Sequence, residues 1–180
     1  MAHVNELNFL RRHLQESPAT VLEIGSKHGK NMMPWRTLYP HLVGLDIDAG
    51  EGVDVVHDYE TGPLPNTYEL VLCCSVLEHM HRPWMAAPHI GAAVAPGGML
   101  YVTVPWTWRQ HDYPIDWWRM SVEGIKSLFE GFDWLAETYA TTVKDDFRPT
   151  RSQDVWNSSI KGKAVNVCLT ELSQLIGRKR

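Results

Sequence analysis

The chain has 180 residues, 44% of them hydrophobic and 21% charged, with a formal net charge of −4. That length suits one domain with a sizeable core, and the composition is ordinary for a globular protein. The charge excludes a global basic field for nucleic acid or an anionic membrane, and no run approaches the ~18 apolar residues of a membrane span.

Val4, Leu7, Leu10 and Leu14 recur at helical spacing, and Ser17-Pro18 stops that helix. Arg11 and Arg12 interrupt the apolar run that a signal peptide would need. Cys73, Cys74 and Cys168 are the only cysteines. The adjacent pair is poorly placed to bridge, so a reducing cytoplasm is the expected compartment. The first strand is expected over 20–24 and the second over 42–46, with a short helical segment around 30–38 between them. Val53–Val56 reads as a third strand. The link before it is too short for a helical crossover, so it is either a stub at the sheet edge or wrongly bounded. Gly62, Pro63 and Pro65 mark an irregular loop.

Glu69–Cys73 is a continuous apolar run suited to the middle of a parallel sheet. Ser75 and Glu78 have capping-box spacing for a following helix, which leaves Glu78 a structural role. A helix over 84–94, the turn Pro96-Gly97-Gly98 and a strand over Met99–Val104 follow. Ser121 caps another helix, and the last two strands are expected at 133–139 and 164–170, with Gly177–Arg180 a solvated basic tail. Strands alternating with helices make an α/β architecture. Trp106, Trp108, Trp117 and Trp118 crowd into thirteen residues. Burial in a core wall or subunit interface is the commoner fate of such a cluster. An aromatic floor under a substrate is the other reading.

The most informative stretch is Val21-Leu-Glu-Ile-Gly25-Ser-Lys-His-Gly29, with Asp46 closing the next strand. A strand breaking into a glycine turn lets backbone approach a ligand, and an acid about 20 residues on is where ribose hydroxyls are held. Lys27 and His28 fill the interior that a dinucleotide G-x-G-x-x-G would need glycine in. Three residues separate the glycines where a P-loop has four, and Lys30 is followed by Asn31.

E-x-G-x-x-x-G after a strand resembles motif I of the class I S-adenosylmethionine-dependent methyltransferases. His57-Asp58-Tyr59, Cys73-Cys74-Ser75-Val-Leu-Glu-His79 and Ala95-Pro-Gly-Gly98 resemble three further landmarks of those enzymes, in order. The match is closest to small members grouped with the type 11 family, some of which carry a segment like His111–Arg119. The resemblance covers most of residues 19–135. It implies a Rossmann-like, mixed but mostly parallel seven-stranded sheet with its last strand antiparallel, in a compact version lacking some crossover helices. The expected organisation is a single domain over 1–180: an N-terminal helix over 1–18, a cofactor-binding core over 19–135, and C-terminal strands and tail over 136–180.

The implied cofactor is S-adenosyl-L-methionine, held by Glu23, Gly25, Ser26, Gly29, Asp46, Ile47, Asp58, Tyr59, Cys74 and Ser75. Glu23 would meet its methionine end, a buried structural carboxylate being the alternative. Methyl transfer needs acceptor and methyl in line and water kept out, with a base where the acceptor is a hydroxyl. His111 and His79 are the candidate catalytic residues, with Asp116 able to orient a histidine; a solvated loop histidine is the plain alternative for His111. No metal is expected, because His79-x-His81 has no third ligand at a recognised spacing. Nucleic-acid bases are disfavoured as acceptors, since Cys74-Ser75-Val76-Leu77 is not the Asp/Asn-Pro-Pro-aromatic tetrad and no Cys follows a Pro.

The resulting expectation is methyl transfer to a small-molecule or saccharide acceptor, at oxygen. Its rival is an inactive cofactor-binding domain serving as an interaction module. A homodimer through the tryptophan-rich segment is left open. A polar pocket at residues 79 and 111 would favour the enzyme, and an exposed tryptophan patch without one the module.

Overall fold

The structure is a computed structural model that describes residues 4–14, 16–28, 35–106, 108, 110–111, 115–140 and 172–180. Seven strands form one sheet in the order β3-β2-β1-β4-β5-β7-β6. They are β1 (Val21–Ile24), β2 (Val43–Asp46), β3 (Val55–Val56), β4 (Tyr68–Cys74), β5 (Val94–Pro105), β6 (Phe132–Ala140) and β7 (Leu172–Lys179). β1 through β5 pair in parallel, while β7 runs antiparallel to both β5 and β6. All four residues of β1 are buried, as expected for a strand covered on both faces.

Helix α1 (Val4–His13) lays Phe9 and Leu10 on one face of the sheet, against Leu70, Leu72 and Tyr101. Helices α3 (Pro83–Ala92) and α4 (Val122–Leu128) cover the other face, where Ile90 and Ile125 meet Val71, Leu100 and Val102. Only Trp35–Leu38, α2, is described of the helical segment expected around 30–38. β3 is two residues long at the sheet edge, which settles its reading as a stub. Ser121 caps α4 as expected, its hydroxyl accepting from Gly124 N at 3.0 Å.

Two expectations need correction. The segment Ser75–Glu78 does not start an α-helix; it leads into a 3₁₀ turn over Leu77–His79 without a side-chain cap. Ser75 leaves the sheet at φ 54, and its N–H donates to Thr103 O at 2.9 Å. The amide that Glu78 would have capped is thus already engaged, and the carboxylate turns inward. The basic tail is strand and not a loose end: Gly177–Lys179 belongs to β7, beside buried Leu175 and Ile176, while Arg178 and Arg180 stay exposed as expected. Lys179 Nζ donates to Val94 O at 2.8 Å. The expected strand at 164–170 and Cys168 lie outside the described residues, and the strand that closes the sheet is the later one.

None of the four clustered tryptophans is buried. Trp118 packs against the core edge and donates its indole N–H to Met80 O at 2.9 Å. Trp117 is 47% exposed.

Candidate active site

β1 ends at Gly25, which takes φ 76. A Cβ there would stand 2.6 Å from Val76 Cγ2, so glycine is required both for the turn and for the close approach. The amides of Gly25 and Ser26 both donate to Leu45 O, at 2.8 and 3.0 Å. This ties the loop to the end of β2, where Asp46 waits. Its carboxylate accepts Lys27 N at 3.0 Å and Asp48 N at 3.2 Å. A carboxylate offers about four lone-pair sites, so Asp46 retains capacity for ribose hydroxyls. Ile47, 51% exposed, presents an apolar surface beside it.

Glu23 is buried at the centre of the sheet, and burial pushes its carboxyl up to about 7, with the Arg36 charge pulling the other way. Ser26 Oγ is buried and has no hydrogen-bond partner among the described residues. A buried acid raised by desolvation and an orphaned hydroxyl both fit a polar, cationic ligand. Lys27 Nζ is 3.2 Å from Asp48, so it is engaged with an acid rather than poised for phosphate. Cys74 ends β4 and Ser75 is the first residue to leave it; burial raises the Cys74 thiol well above its ordinary value, which makes it a poor nucleophile.

Of the acids after β3, Asp58 is exposed, its carboxylate accepting Glu60 N at 2.8 Å. Tyr59 is set apart from the others: its ring is 1% exposed in the core, with its hydroxyl buried. Gly29 lies outside the described residues.

The second half of the site joins the 3₁₀ turn to the segment after β5. Glu78 O accepts Trp117 N at 2.7 Å and Trp118 N at 3.2 Å, and His79 Nδ1 donates to Ile115 O at 2.8 Å. Because a carbonyl only accepts, that contact fixes the tautomer and leaves the neutral His79 ring with its lone pair on Nε2. Burial lowers the pKa of His79, which favours this neutral form. The rings of His79 and His111 meet edge to face with centroids 4.9 Å apart. Asp116 is buried, accepts His111 N at 2.9 Å and is gripped by both terminal nitrogens of Arg119. The Arg119 hydrogen bonds hold its carboxyl far below the usual carboxylate range. His111 Nδ1 lies 3.0 Å from Asp116 Oδ2, an ion-pair distance without the direction of a hydrogen bond.

Sequence reasoning missed one member of the site. Glu78 is fully buried, neither carboxylate oxygen has a hydrogen-bond partner among the described residues, and burial raises it to about 8. The third ligand that His79-x-His81 lacked is supplied through space: Glu78, His79 and His111 offer ligand atoms within 4.8 Å of one another. His81 instead turns to the ring of Trp117, centroids 4.9 Å apart. Glu6 on α1, also unremarked in the sequence, is a buried acid that accepts from Thr103 Oγ1 at 2.6 Å and ties α1 to β5. Its helical spacing gave no hint, because an acid on the solvent face of a first turn looks the same.

The methyltransferase domain family matches residues 4–137. The chain belongs to that family. Its sheet order and the loop at Gly25 make it a class I methyltransferase domain, the kind whose methyl donor is S-adenosylmethionine. The ubiquinone biosynthesis O-methyltransferase of Paraburkholderia xenovorans (strain LB400) is 27% identical over 111 residues, 53% of this chain and 48% of that protein. The chain thus matches about half the length of this curated relative. Among solved structures, the N-methyltransferase NodS of Bradyrhizobium japonicum WM9, in complex with S-adenosyl-L-homocysteine, aligns with TM-score 0.62 at 14% identity, over 97% of this chain and 85% of NodS. An S-adenosylmethionine-dependent methyltransferase of Mesorhizobium loti aligns with TM-score 0.64 at 15% identity, over 98% of each chain. The methyltransferase domain here shares with these structures its fold.

Proposed function

We propose that the chain transfers a methyl group from S-adenosylmethionine to an oxygen of a small molecule or saccharide. The observation that carries this reading is the pairing of two imidazoles, 4.9 Å apart, with buried Asp116 behind one of them at the rim of β4 and β5. Open α/β sheets take their ligands beyond the carboxyl ends of the strands, and both halves of the site leave such ends. A sulfonium supplies a methyl that is already activated, so the protein has to align the acceptor and remove its proton. Glu23, Gly25, Ser26, Asp46, Ile47, Asp58, Cys74 and Ser75 are our candidates to hold the cofactor. His111 is the candidate base, Asp116 its positioning residue, and His79 a second polar contact to the acceptor.

The O-methyltransferase relative supports oxygen as the atom methylated, while the N-methyltransferase NodS marks nitrogen as the rival. A hydroxyl must lose a proton that a neutral amine can shed after transfer, and two imidazoles with an orienting acid suit the former. Exposed Trp84, Met85 and Trp117 offer apolar surface next to the polar set, so the feature that would have marked an interaction module does not stand alone. The test is a labelled-methyl transfer screen against pools of hydroxylated small molecules, saccharides and amines. Incorporation confined to the hydroxylated pools is expected. Transfer only to amines would overturn the oxygen assignment, and cofactor binding with transfer to none would favour the inactive module.

A further inference from the structure

We propose that Glu78, His79 and His111 form a binding site for one divalent transition-metal ion, of the zinc, iron or manganese type. The proposal rests on the methyl-transfer reading for what the ion does, but not for whether it binds.

The argument is a count of donors and acceptors. His79 spends its Nδ1 proton on Ile115 O, so its Nε2 faces Glu78 Oε1, 3.8 Å away, with a lone pair. Glu78 adds two carboxylate oxygens with no donor to satisfy them among the described residues, at a side chain fully removed from solvent. His111 brings a third ligand atom within 4.8 Å of the others. With Glu78 ionised, these acceptors converge without a donor and repel one another, and an unpaired buried carboxylate costs several kcal/mol unless a proton or a cation meets it. A proton satisfies one lone pair. A divalent ion satisfies one on each residue at once.

The surroundings match what metal-binding histidines need. Such a ring usually gives its other nitrogen to a carbonyl or carboxylate, which fixes its tautomer and orientation. Here Ile115 O serves His79, and Asp116 lies 3.0 Å from His111 Nδ1. Asp116 is in turn immobilised by Arg119. Metal–nitrogen and metal–oxygen bonds of ~2.0–2.2 Å bring ligand atoms to within about 4 Å of each other, so the set closes through modest side-chain rotation. Two imidazoles and one carboxylate suit zinc or iron better than magnesium or calcium, which take oxygen ligands. Three protein ligands leave positions open for a ligand, on the side where the His111 ring is about one-third exposed.

There an acceptor hydroxyl would be held against the cofactor. The new C–O bond forms as the S–C bond breaks and the sulfide departs with its electron pair. Held by Glu78, His79 and His111, the ion would supply Lewis acidity that eases loss of the hydroxyl proton to solvent; without it, His111 would take the proton.

The experiment uses the full chain, stripped with chelator and dialysed against Zn²⁺, then Mn²⁺, with bound metal read by elemental analysis and by thermal shift. S-adenosylhomocysteine binding is measured calorimetrically on the same samples. One equivalent of Zn²⁺ per chain is expected in the wild type, and loss of that equivalent in Glu78→Gln and in His111→Ala. Asp116→Asn should keep all three ligands yet weaken Zn²⁺ about 10–100-fold, the usual effect of a lost outer partner. If Glu78→Gln fails to fold, His111→Ala decides, since its ring is partly exposed. Wild type binding no more Zn²⁺ than the His111→Ala variant overturns the proposal. Intact cofactor binding beside absent metal removes the ion alone. Bound metal beside absent cofactor binding leaves the ion and removes the methyl-transfer reading.

Discussion

The two halves of the site are built by different means. On the cofactor side, backbone does most of the work: amides of Gly25 and Ser26 reach Leu45 O, and the Asp46 carboxylate gathers the amides of Lys27 and Asp48. Partners there lie about 20 residues apart or fewer, joined by adjacent parallel strands. On the acceptor side, side chains do the work. Glu78 and His79 leave β4, His111 and Asp116 follow β5, and they meet across more than thirty positions of sequence. A backbone site tolerates changes of side chain that keep the turn. A site of convergent side chains depends on every member, so its substitutions should act on turnover and those of the other half on affinity.

The largest effect that would break this contrast lies at His111. Under the proposed role, His111→Ala should lower turnover by roughly 10²–10⁴-fold, the usual worth of a general base, while calorimetry finds the affinity for S-adenosylhomocysteine unchanged. A variant losing cofactor affinity and turnover in parallel would mean that the two halves are one.

The same contrast explains how much of the molecule was legible in the sequence. The sheet could be read because β1, β4 and β5 are buried apolar runs, and the loop because Gly25 and Asp46 mark its two ends within one supersecondary unit. Ser75 illustrates the failure. Its spacing to Glu78 satisfies a local capping rule, but Thr103 O takes its amide and a left-handed φ of 54 turns the chain away from a helix. A non-glycine residue held there stores strain that only neighbouring strands can impose. Glu78 was misread with it, since a carboxylate assigned to a cap is not suspected of being buried. The tryptophans show the limit of composition: aromatic content predicts burial in a core wall or an interface on average, while Trp117, held by its amide to Glu78 O, keeps its ring outside this chain's core.

The next effect tests the cofactor side by itself. Asp46→Ala should weaken S-adenosylhomocysteine binding by about 1.5–3 kcal/mol, the range for charge-assisted hydrogen bonds, with turnover at saturating cofactor little altered. The carboxylate also holds the Lys27 and Asp48 amides. Asp46→Asn keeps an acceptor for one of them and should lose less. Equal losses in both variants would assign the effect to charge on the ribose rather than to the loop. Normal binding in Asp46→Ala would move the ribose contact to Asp48, the next acid along.

The last effect, read through pH and not through loss of a contact, concerns Glu23, the cofactor-side acid that burial brings to about 7 from an ordinary 4.5. Between those values the folded chain keeps a proton that the unfolded chain has released. The unfolded state therefore binds fewer protons, and stability falls as pH rises from about 4.5 to about 7, then levels off. The Glu23 share of this loss is on the order of 3 kcal/mol, and Glu23→Gln should remove that share, leaving the shallower decline of melting temperature that buried Glu78, raised to about 8, still contributes. Cofactor binding should run the opposite way. The cationic methionine end of S-adenosylmethionine prefers Glu23 ionised, so below pH 7 binding must expel a proton. Affinity should then rise by up to about tenfold per pH unit toward pH 7 and flatten above it. In Glu23→Gln the affinity should be weaker and independent of pH. A wild-type affinity that is flat from pH 5 to 8 would place Glu23 away from the bound cation, as a structural acid whose burial the fold tolerates, and would leave the backbone loop and Asp46 as the whole of the cofactor side.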